Sequence, residues 1–308
     1  MIRLGLCCLF VKQPIRFRAL TAKGLEPFPR AQQLERIGEV CRSNSENLLQ
    51  AIHTLARLGI GAFRIGSSLF PRYTHPQVGY ALDDLPQRRQ IIQHLKAVRL
   101  NARDRDIRLS FHPDQFVVLS SPQREVVEKS LQELEYQGLL ADRVGADVIN
   151  LHGGGAYGDK RAALQRLQKN IDKLSVAVRQ RLTLENDDRI YTVRDLLPVC
   201  RALGIPLVYD VHHHRCNPDG LSEAAATEAV LATWQAVGRE PHFHLSSPRA
   251  GWQRDDRRPH ADYIEPDDFP ACWQQLDCTV DVEAKAKELA VLQLRAALQH
   301  QGVELWSM

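Results

Sequence analysis

Histidine and acidic side chains recur directly after short apolar runs along this chain. In PLVYDVHHH, the run Leu207, Val208 and Tyr209 leads into Asp210 and three histidines. A single histidine at a strand end is usually a hydrogen-bonded structural residue, and a single carboxylate there can cap the next helix. Repetition across eight elements predicts a shared site instead. The candidates are His75, His112, His152, Glu185, Asp210, one histidine of 212–214, His244, His260 and Glu283.

Imidazoles and carboxylates gathered in one place predict a metal centre. Without a cation, so many polar groups would repel each other or remain unpaired after burial. Nitrogen and oxygen donors without a thiolate suit two or three divalent ions of the Mn²⁺, Fe²⁺ or Zn²⁺ type. Two such ions suit an in-line phosphoryl displacement, because one activates water and the other stabilises the leaving oxygen.

The elements that carry these residues alternate between strand and helix. Apolar runs predict eight strands at 3–11, 62–66, 107–111, 147–151, 181–184, 207–209, 242–245 and 278–282, with helical patterns between them. One of these helices is predicted to start at Ser121 as its N-cap, and a shorter one is predicted over 265–276. Such alternation predicts the α/β class and a parallel sheet. Eight units in 308 residues fit a single (β/α)8 TIM barrel domain over 1–308, with the strand ends at one mouth. An open doubly wound sheet is the alternative, disfavoured because the first strand–helix turn lacks GxGxxG.

Composition narrows the class of protein further. The chain is 44% hydrophobic and 25% charged, which excludes a disordered protein. A net charge of +3 permits a nucleic-acid partner without requiring one. Seven cysteines without a CxxC predict free thiols in a reducing compartment, and no apolar run approaches the length of a membrane span. We therefore expect a cytoplasmic protein with no membrane partner.

Eight segments in order resemble the UV damage endonuclease family. They are FRIGSSLFPRYTHP, LSFHPDQFV, INLHGGGAYGDK, LTLENDD, VYDVHHH, HFHLSS, RPHADYI and DVEAKAK. The resemblance implies a TIM barrel with a cluster of divalent metals, most often manganese. It also implies incision of DNA immediately 5′ of UV photoproducts (cyclobutane dimers and 6-4 photoproducts), leaving a 3′-hydroxyl and a 5′-phosphate.

The resemblance also implies roles for individual residues. Strand alternation from Asp210 would favour His212, whereas the D-x-x-H pattern of the family selects His213. The implied metal ligands are His75, His112, His152, Glu185, Asp210, His213, His244, His260 and Glu283. The implied catalytic residues are His75, Glu185, His244 and Lys285. Lys285 and Lys287 both match the pattern of the family after the last strand, and one of the two is expected to stabilise charge on the phosphate.

Double-stranded DNA with UV lesions is the implied partner of a monomeric enzyme that associates with the nucleoid when it acts. By resemblance, Gln115 and Phe116 probe the duplex opposite the lesion, although Phe116 could instead pack with Val117 and Val118. Basic residues of two loops are expected at the DNA backbone, although loop arginines are usually just solvated. These are Arg16, Arg18, Arg254, Arg257 and Arg258.

Three positions of this chain differ from the residues that some relatives have there. Phe116 and Leu6 stand where some relatives have tyrosine, and His242 stands where some have a carboxylated lysine. His242 could approach a metal or simply pack, and Asp281 could be a salt-bridge partner or a neighbour of the ligands.

Three rival functions remain. The rivals are an abasic-site endonuclease, a metal-dependent sugar isomerase and a non-catalytic DNA-binding module. The arginine-rich loop argues against the isomerase, which needs a small closed pocket.

Overall fold

Eight parallel strands form a closed barrel in this computed structural model, which describes residues 1–67 and 69–307. Ser68, inside FRIGSSLFPRYTHP, and Met308 lie outside the described residues. Each strand pairs with the next in sequence, and β1 pairs with β8 to close the sheet. The strands are Ile2–Cys7 (β1), Ala62–Gly66 (β2), Arg108–His112 (β3), Val148–His152 (β4), Leu182–Glu185 (β5), Leu207–Asp210 (β6), His242–Leu245 (β7) and Cys278–Val282 (β8). The predicted (β/α)8 barrel is confirmed.

Helices cover the outside of the barrel. They are Ala22–Leu25 (α1), Arg30–Leu58 (α2), Arg88–Asp104 (α3), Arg124–Val144 (α4), Lys160–Ile171 (α5), Val176–Arg179 (α6), Val193–Leu203 (α7), Val211–Cys216 (α8), Glu223–Gln235 (α9) and Glu288–His300 (α10). Along the part of the chain that the structure describes, no helix combines the length and apolar character needed to cross a bilayer.

Helix α2 shows how the sequence produces this outer layer. Ile37, Cys41, Leu48 and Ile52 recur at helical spacing and are fully buried. Burial of each large aliphatic side chain contributes about 1.5–3 kcal/mol. The helix ends at Gly59, whose φ of 65° is left-handed and therefore favours glycine. The chain then turns back into β2.

Several predicted boundaries were wrong. The first strand ends at Cys7 rather than at residue 11. The helix predicted from Ser121 begins at Arg124, because the Ser121 hydroxyl accepts the Gln123 amide in a turn before it. Two separate 3-10 turns, Pro266–Asp268 and Ala271–Trp273, replace the helix predicted at 265–276. Pro270 lacks the amide hydrogen that a continuous helix over these residues would need, whereas Pro266 stands at a first helical position, where proline is tolerated.

The amino end of the barrel is closed by arginine–carboxylate pairs. The Arg108 side chain is 8% exposed, and its Nη2 donates to Asp147 Oδ2 at 2.8 Å. Its Nη1 donates to Thr279 Oγ1 at 3.1 Å and lies 3.7 Å from Glu240 Oε1. Arg3 Nε lies 3.3 Å from the same Glu240 oxygen. Burial alone would lower the pKa of Arg108, but Asp147 and Glu240 outweigh it and raise that pKa. We call Arg3, Arg108, Asp147, Thr279 and Glu240 the floor network.

Candidate metal centre

Histidines and carboxylates meet at the carboxyl ends of neighbouring strands. His152 at the end of β4 pairs in register with Glu185 at the end of β5. Asp210 at the end of β6 pairs with His244 in β7. Because parallel strands align these ends at one mouth, residues far apart in sequence become direct neighbours.

Glu185 lies at the centre of the cluster with 1% of its side chain exposed. Its Oε2 accepts from His112 Nε2 at 3.0 Å and lies 3.9 Å from His152 Nε2. Its Oε1 lies 3.2 Å from His244 Nδ1 and 3.3 Å from His213 Nδ1. Burial would raise the pKa of Glu185, but the surrounding imidazoles, first His244, hold it well below its usual range. The carboxylate is therefore ionised and shared among four rings.

Asp210 and His213 are joined by one turn of helix. Asp210 caps α8, where its Oδ1 accepts the His213 amide at 2.7 Å. Its Oδ2 has no hydrogen-bond partner and lies 3.4 Å from His213 Nδ1. Helix begins directly after Asp210, so i, i+3 spacing places His213 beside Asp210 and Glu185. His212 packs instead against Trp252 and His260, at ring-centroid distances of 5.2 Å in each case.

Glu283 and His260 extend the cluster toward β8. Glu283 Oε2 lies 3.6 Å from His260 Nδ1, and its Oε1 lies 3.4 Å from His244 Nδ1. Arg64 Nη1 donates to the same Oε1. Burial would raise the pKa of Glu283, but Arg64, His244 and His260 hold it well below its usual range.

His75 lies in the loop after β2, at the rim of the mouth. Its Nδ1 accepts the backbone amides of Gln77 and Val78, both at 3.3 Å, which leaves Nε2 available for a ligand. The ring lines a cavity of about 660 Å³ together with Asp114 and Phe116. Among the described residues, three groups of histidine and acidic side chains are close enough together to hold a metal ion, and none of them includes His75. Its role as a ligand therefore stays a prediction.

The cluster fits divalent metal ions. Three groups bring one potential ligand atom from each residue within 4.8 Å of the others: His112, His152 and Glu185; Glu185, Asp210 and His213; and His242, His244 and Asp281. Buried His152 Nδ1 and Asp210 Oδ2 have no hydrogen-bond partner, although buried polar atoms are normally satisfied. The groups offer nitrogen and oxygen donors only, which suit Mn²⁺, Fe²⁺ or Zn²⁺.

Sequence reasoning missed two residues that contact the cluster. Asn150 Nδ2 donates to Glu185 Oε2, and the hydroxyl of Thr183 orients the Asn150 side chain by donating to its Oδ1 at 2.9 Å. Arg64 is the other. A charged residue in the middle of a five-residue apolar strand is a signal that could have revealed Arg64. Asn150 has no comparable signal, because a polar residue two before a strand end is common.

The residues expected at DNA lie at the surface. The Phe116 side chain is 77% exposed, so it does not pack with its neighbours, and Gln115 is exposed beside it. The Phe116 amide donates to Asp114 Oδ1 at 3.1 Å, which holds the turn. Lys285 is also exposed, and its amide donates to Ala261 O at 3.1 Å beside His260. The five arginines predicted at the DNA backbone are all exposed: Arg16, Arg18, Arg254, Arg257 and Arg258.

The arginine-rich loop after β7 is anchored below its exposed part. Trp252 Nε1 donates to Asp268 Oδ1 at 2.7 Å, and the Arg215 guanidinium lies 5.4 Å from the Trp252 ring centroid. Arg215 also donates to Asp268 Oδ1 at 3.3 Å. These contacts fix the base of the loop that carries Arg254 and Arg257.

Comparisons with known proteins identify the family of this chain. A family model described as UV-endonuclease UvdE matches residues 2–307. The UV DNA damage endonuclease of Bacillus velezensis is 36% identical over 296 residues, covering 93% of this chain and 89% of its own. That of Bacillus cereus strain Q1 is 31% identical, covering 90% and 87%.

Solved structures extend the comparison to the fold. The crystal structure of SacUVDE superposes with a TM-score of 0.86 and 25% identity, covering 99% of this chain and all of the other. Endonuclease IV from Thermus thermophilus, with a TM-score of 0.62 and 16% identity over 97% and 99% of the two chains, shares the fold. The match across residues 2–307 and the curated relatives show that this chain is an endonuclease and belongs to the UV DNA damage endonuclease family.

Proposed function

We propose that this endonuclease incises the phosphodiester immediately 5′ of UV photoproducts, leaving a 3′-hydroxyl and a 5′-phosphate. The substrates would be cyclobutane dimers and 6-4 photoproducts in double-stranded DNA. The observation that carries the proposal is the buried Glu185 carboxylate with four imidazoles around it, in a member of this family.

Two or three divalent ions, of which Mn²⁺ is the first candidate, would be held by the imidazoles and carboxylates of the mouth. The proposed ligands are His75, His112, His152, Glu185, Asp210, His213, His244, His260 and Glu283. When bound, such ions supply Lewis acidity toward water and toward the scissile phosphate. Glu185 itself orients the rings around it, because each of its oxygens faces two of them.

Arg64 and Lys285 contribute positive charge at the edge of the centre. Arg64 holds the Glu283 carboxylate through its Nη1. Lys285 follows Glu283 by two residues and is exposed, so its ammonium group can reach a phosphate at the mouth and stabilise charge that develops there. His75, Glu185, His244 and Lys285 are the proposed catalytic residues.

Lesion recognition is assigned to the turn that follows β3. Phe116 presents its ring to solvent, so it can replace the stacking that a photoproduct loses when it leaves the helix. Unstacking costs a few kcal/mol and less at a distorted lesion, which favours damaged sites over intact ones. Gln115 lies beside the ring and can hydrogen-bond to the bases left opposite the lesion.

Exposed arginines of two loops are assigned to the DNA backbone. Phosphate contacts position a protein on DNA without reading sequence, which suits an enzyme that acts wherever a lesion lies. The logarithm of the binding constant falls linearly with the logarithm of the salt concentration, and each phosphate contact makes this slope steeper by about 0.9. Substitution of any of these arginines should therefore change that slope more than it changes lesion preference. They are Arg16, Arg18, Arg254, Arg257 and Arg258.

We further propose a single-domain monomer that acts at the nucleoid in the cytoplasm. The barrel closes within the described chain through the pairing of β1 with β8. All seven cysteines are free, as suits a reducing compartment.

Incision of three matched duplexes tests this function against its rivals. The duplexes carry one cyclobutane dimer, one abasic site or no damage, and each is incubated with the purified protein and Mn²⁺. We expect the dimer duplex to be cut at least tenfold faster than the undamaged one. Preference for the abasic duplex would favour the abasic-site endonuclease. Equal cutting of all three duplexes by metal-loaded protein would overturn the proposed lesion specificity.

A further inference from the structure

A third histidine–carboxylate group lies deeper in the barrel than Glu185. It consists of His242 and His244 from β7 and Asp281 from β8, all with side chains at most 2% exposed. His244 and Asp281 pair in register on adjacent strands. A Cβ added at Gly5 would collide with Asp281 Oδ1, so this glycine leaves the space that the carboxylate occupies. The residue at 5 and the residue at 281 are therefore matched in size.

Asp281 has only imidazoles as ionic partners within residues 1–67 and 69–307. His242 Nε2 lies 3.2 Å from its Oδ2, and His244 Nε2 lies 3.8 Å from the same oxygen. Neither contact has the geometry of a hydrogen bond, so both Asp281 oxygens are buried without a hydrogen-bond partner. Burial would raise the pKa of Asp281, but His242, His244 and the more distant Arg64 lower it. Its nearest partners are imidazoles, which can release their protons to bind a metal, unlike the arginines of the floor network.

His244 turns its two nitrogens toward different carboxylates. Its Nδ1 lies 3.2 Å from Glu185 Oε1 and 3.4 Å from Glu283 Oε1, on the side of the proposed metal centre. Its Nε2 faces Asp281. A neutral imidazole that binds a metal through one nitrogen carries its proton on the other, and an acceptor at that proton fixes both tautomer and ring orientation.

We propose that Asp281 is a positioning residue that holds the proton of His244 on Nε2 and so directs Nδ1 toward the metal centre. His242, whose Nε2 lies 3.2 Å from the same carboxylate, is assigned the second donor to Asp281 once His244 holds the metal. The inference deepens the proposed function, on which it rests, because it assigns His244 the role of a ligand. It adds two residues, His242 and Asp281, whose effect on catalysis passes through His244.

Metal affinity is the first test. Asp281→Asn keeps the shape of the side chain but removes its charge. We expect it to lower the affinity of chelator-stripped protein for Zn²⁺ and Mn²⁺, measured by calorimetry, by about 10–100-fold. Thr279→Val is the matched control, because Thr279 is buried on the same strand two residues earlier and belongs to the floor network. Its metal affinity should stay within about twofold of the wild type.

The tautomer of His244 is the second test, which a purely structural role would not move. In Zn²⁺-loaded protein with ¹⁵N-labelled histidine, the His244 signals are identified by their loss in His244→Gln. We expect a protonated Nε2 in the wild type. In Asp281→Asn we expect that proton to exchange faster with water and its signal to weaken.

Substitution of His242 tests whether this residue acts as a hydrogen-bond donor to Asp281 or only fills space. It also provides a test of the inference if Asp281→Asn fails to fold. His242→Gln retains a donor and should keep metal affinity within about threefold. His242→Leu loses the donor and should lower the affinity about tenfold. Equal affinity of the two variants would contradict the supporting role of His242.

Two outcomes would overturn the inference, and a third would overturn the proposed function on which it rests. Unchanged affinity and unchanged His244 signals in Asp281→Asn would show that His244 does not depend on this carboxylate. Loss of one whole metal equivalent in both Asp281→Asn and His242→Leu, with His244 unaffected, would show that the group is itself a metal site. Wild-type protein that binds no divalent ion would instead refute the proposed metal centre.

Discussion

The two ends of the barrel accommodate buried charge in opposite ways. At the amino end, Arg108 and Arg3 face Asp147 and Glu240 at 2.8–3.7 Å, so positive and negative groups alternate. At the carboxyl end, Glu185 is surrounded by imidazoles, and buried polar atoms such as Asp210 Oδ2 lack a partner.

This difference separates groups that stabilise the fold from groups kept for chemistry. A guanidinium is always charged, so it satisfies a carboxylate permanently. An imidazole can release its proton and offer a lone pair to a metal. The floor network is therefore satisfied by groups of the protein alone, whereas the mouth keeps buried donor atoms such as Asp210 Oδ2 in groups that could hold a cation.

Glu185→Gln should abolish incision while leaving the barrel folded. Loss of the central carboxylate removes the charge shared among four imidazoles, and we expect incision to fall about 10³-fold, about 4 kcal/mol in activation free energy. Glu240→Gln in the floor network is the matched control and should cut at nearly the wild-type rate. Single-turnover rates on a dimer duplex provide the measurement. A similar loss of incision rate in both variants would contradict the functional difference between the two ends of the barrel.

Arg108→Leu should do the reverse and destabilise the fold while sparing the chemistry. Removing the cation leaves Asp147 and Glu240 without their shared partner. We expect the free energy of unfolding to fall by about 3 kcal/mol. Arg103→Leu breaks an exposed pair with Asp104 and should change stability by less than about 1 kcal/mol. Urea unfolding measures both, and an unaltered stability in Arg108→Leu would contradict the account of the floor.

The two ends should also respond to pH in opposite directions. In metal-free protein, burial opposes protonation of His244, but Glu185 and Glu283 outweigh it and raise its pKa to about 9. Charged His244 therefore contributes fully to the free energy of unfolding below pH ~6.5, the ordinary pKa of histidine. This contribution is lost as pH rises through about 9. Burial would raise the pKa of Asp147, but Arg108 lowers it below 3.8. That contribution is present above pH ~4 and is lost as pH falls further.

Thermal unfolding after chelation measures this response. The difference in unfolding free energy between wild type and His244→Gln should shrink by about 3 kcal/mol between pH 6.5 and 9. The difference between wild type and Asp147→Asn should change only in acid. A His244 contribution that grows with pH would contradict the assignment.

Phe116→Ala should produce the smallest effect and should act only on selectivity. Loss of one stacking surface is worth about 1–2 kcal/mol, so preference for the dimer duplex over the undamaged one should fall about tenfold. Tyr263→Ala is the control, because Tyr263 is also an exposed aromatic, at 40%. Competition binding measures the preference, and equal selectivity in Phe116→Ala and the wild type would refute the wedge role.

The sequence predicted the barrel because its apolar strands and amphipathic helices alternate without interruption. It also predicted which strand ends would meet, since parallel strands of a barrel place them at one mouth. Boundaries were less predictable where side chains end or begin elements. Ser121 holds a turn before the helix rather than capping it, and Pro270 separates two turns within 265–276.

The choice between His212 and His213 shows where spacing alone fails. Strand alternation favours His212, but Asp210 starts a helix and therefore brings His213 back to Glu185. That change from strand to helix depends on a cap that periodicity does not reveal. The contacts of Arg64 and Asn150 with the acidic cluster likewise depend on partners more than 30 residues away.

Mapping the cut on a single lesion tests the central claim most directly. A duplex with one cyclobutane dimer, labelled at the 5′ end of the damaged strand, is incubated with Mn²⁺-loaded protein and with chelator-treated protein. We predict one product that ends immediately 5′ of the dimer, carries a 3′-hydroxyl extendable by a polymerase, and disappears after chelation. A cut at another position, or undiminished cutting after complete metal removal, would contradict the account.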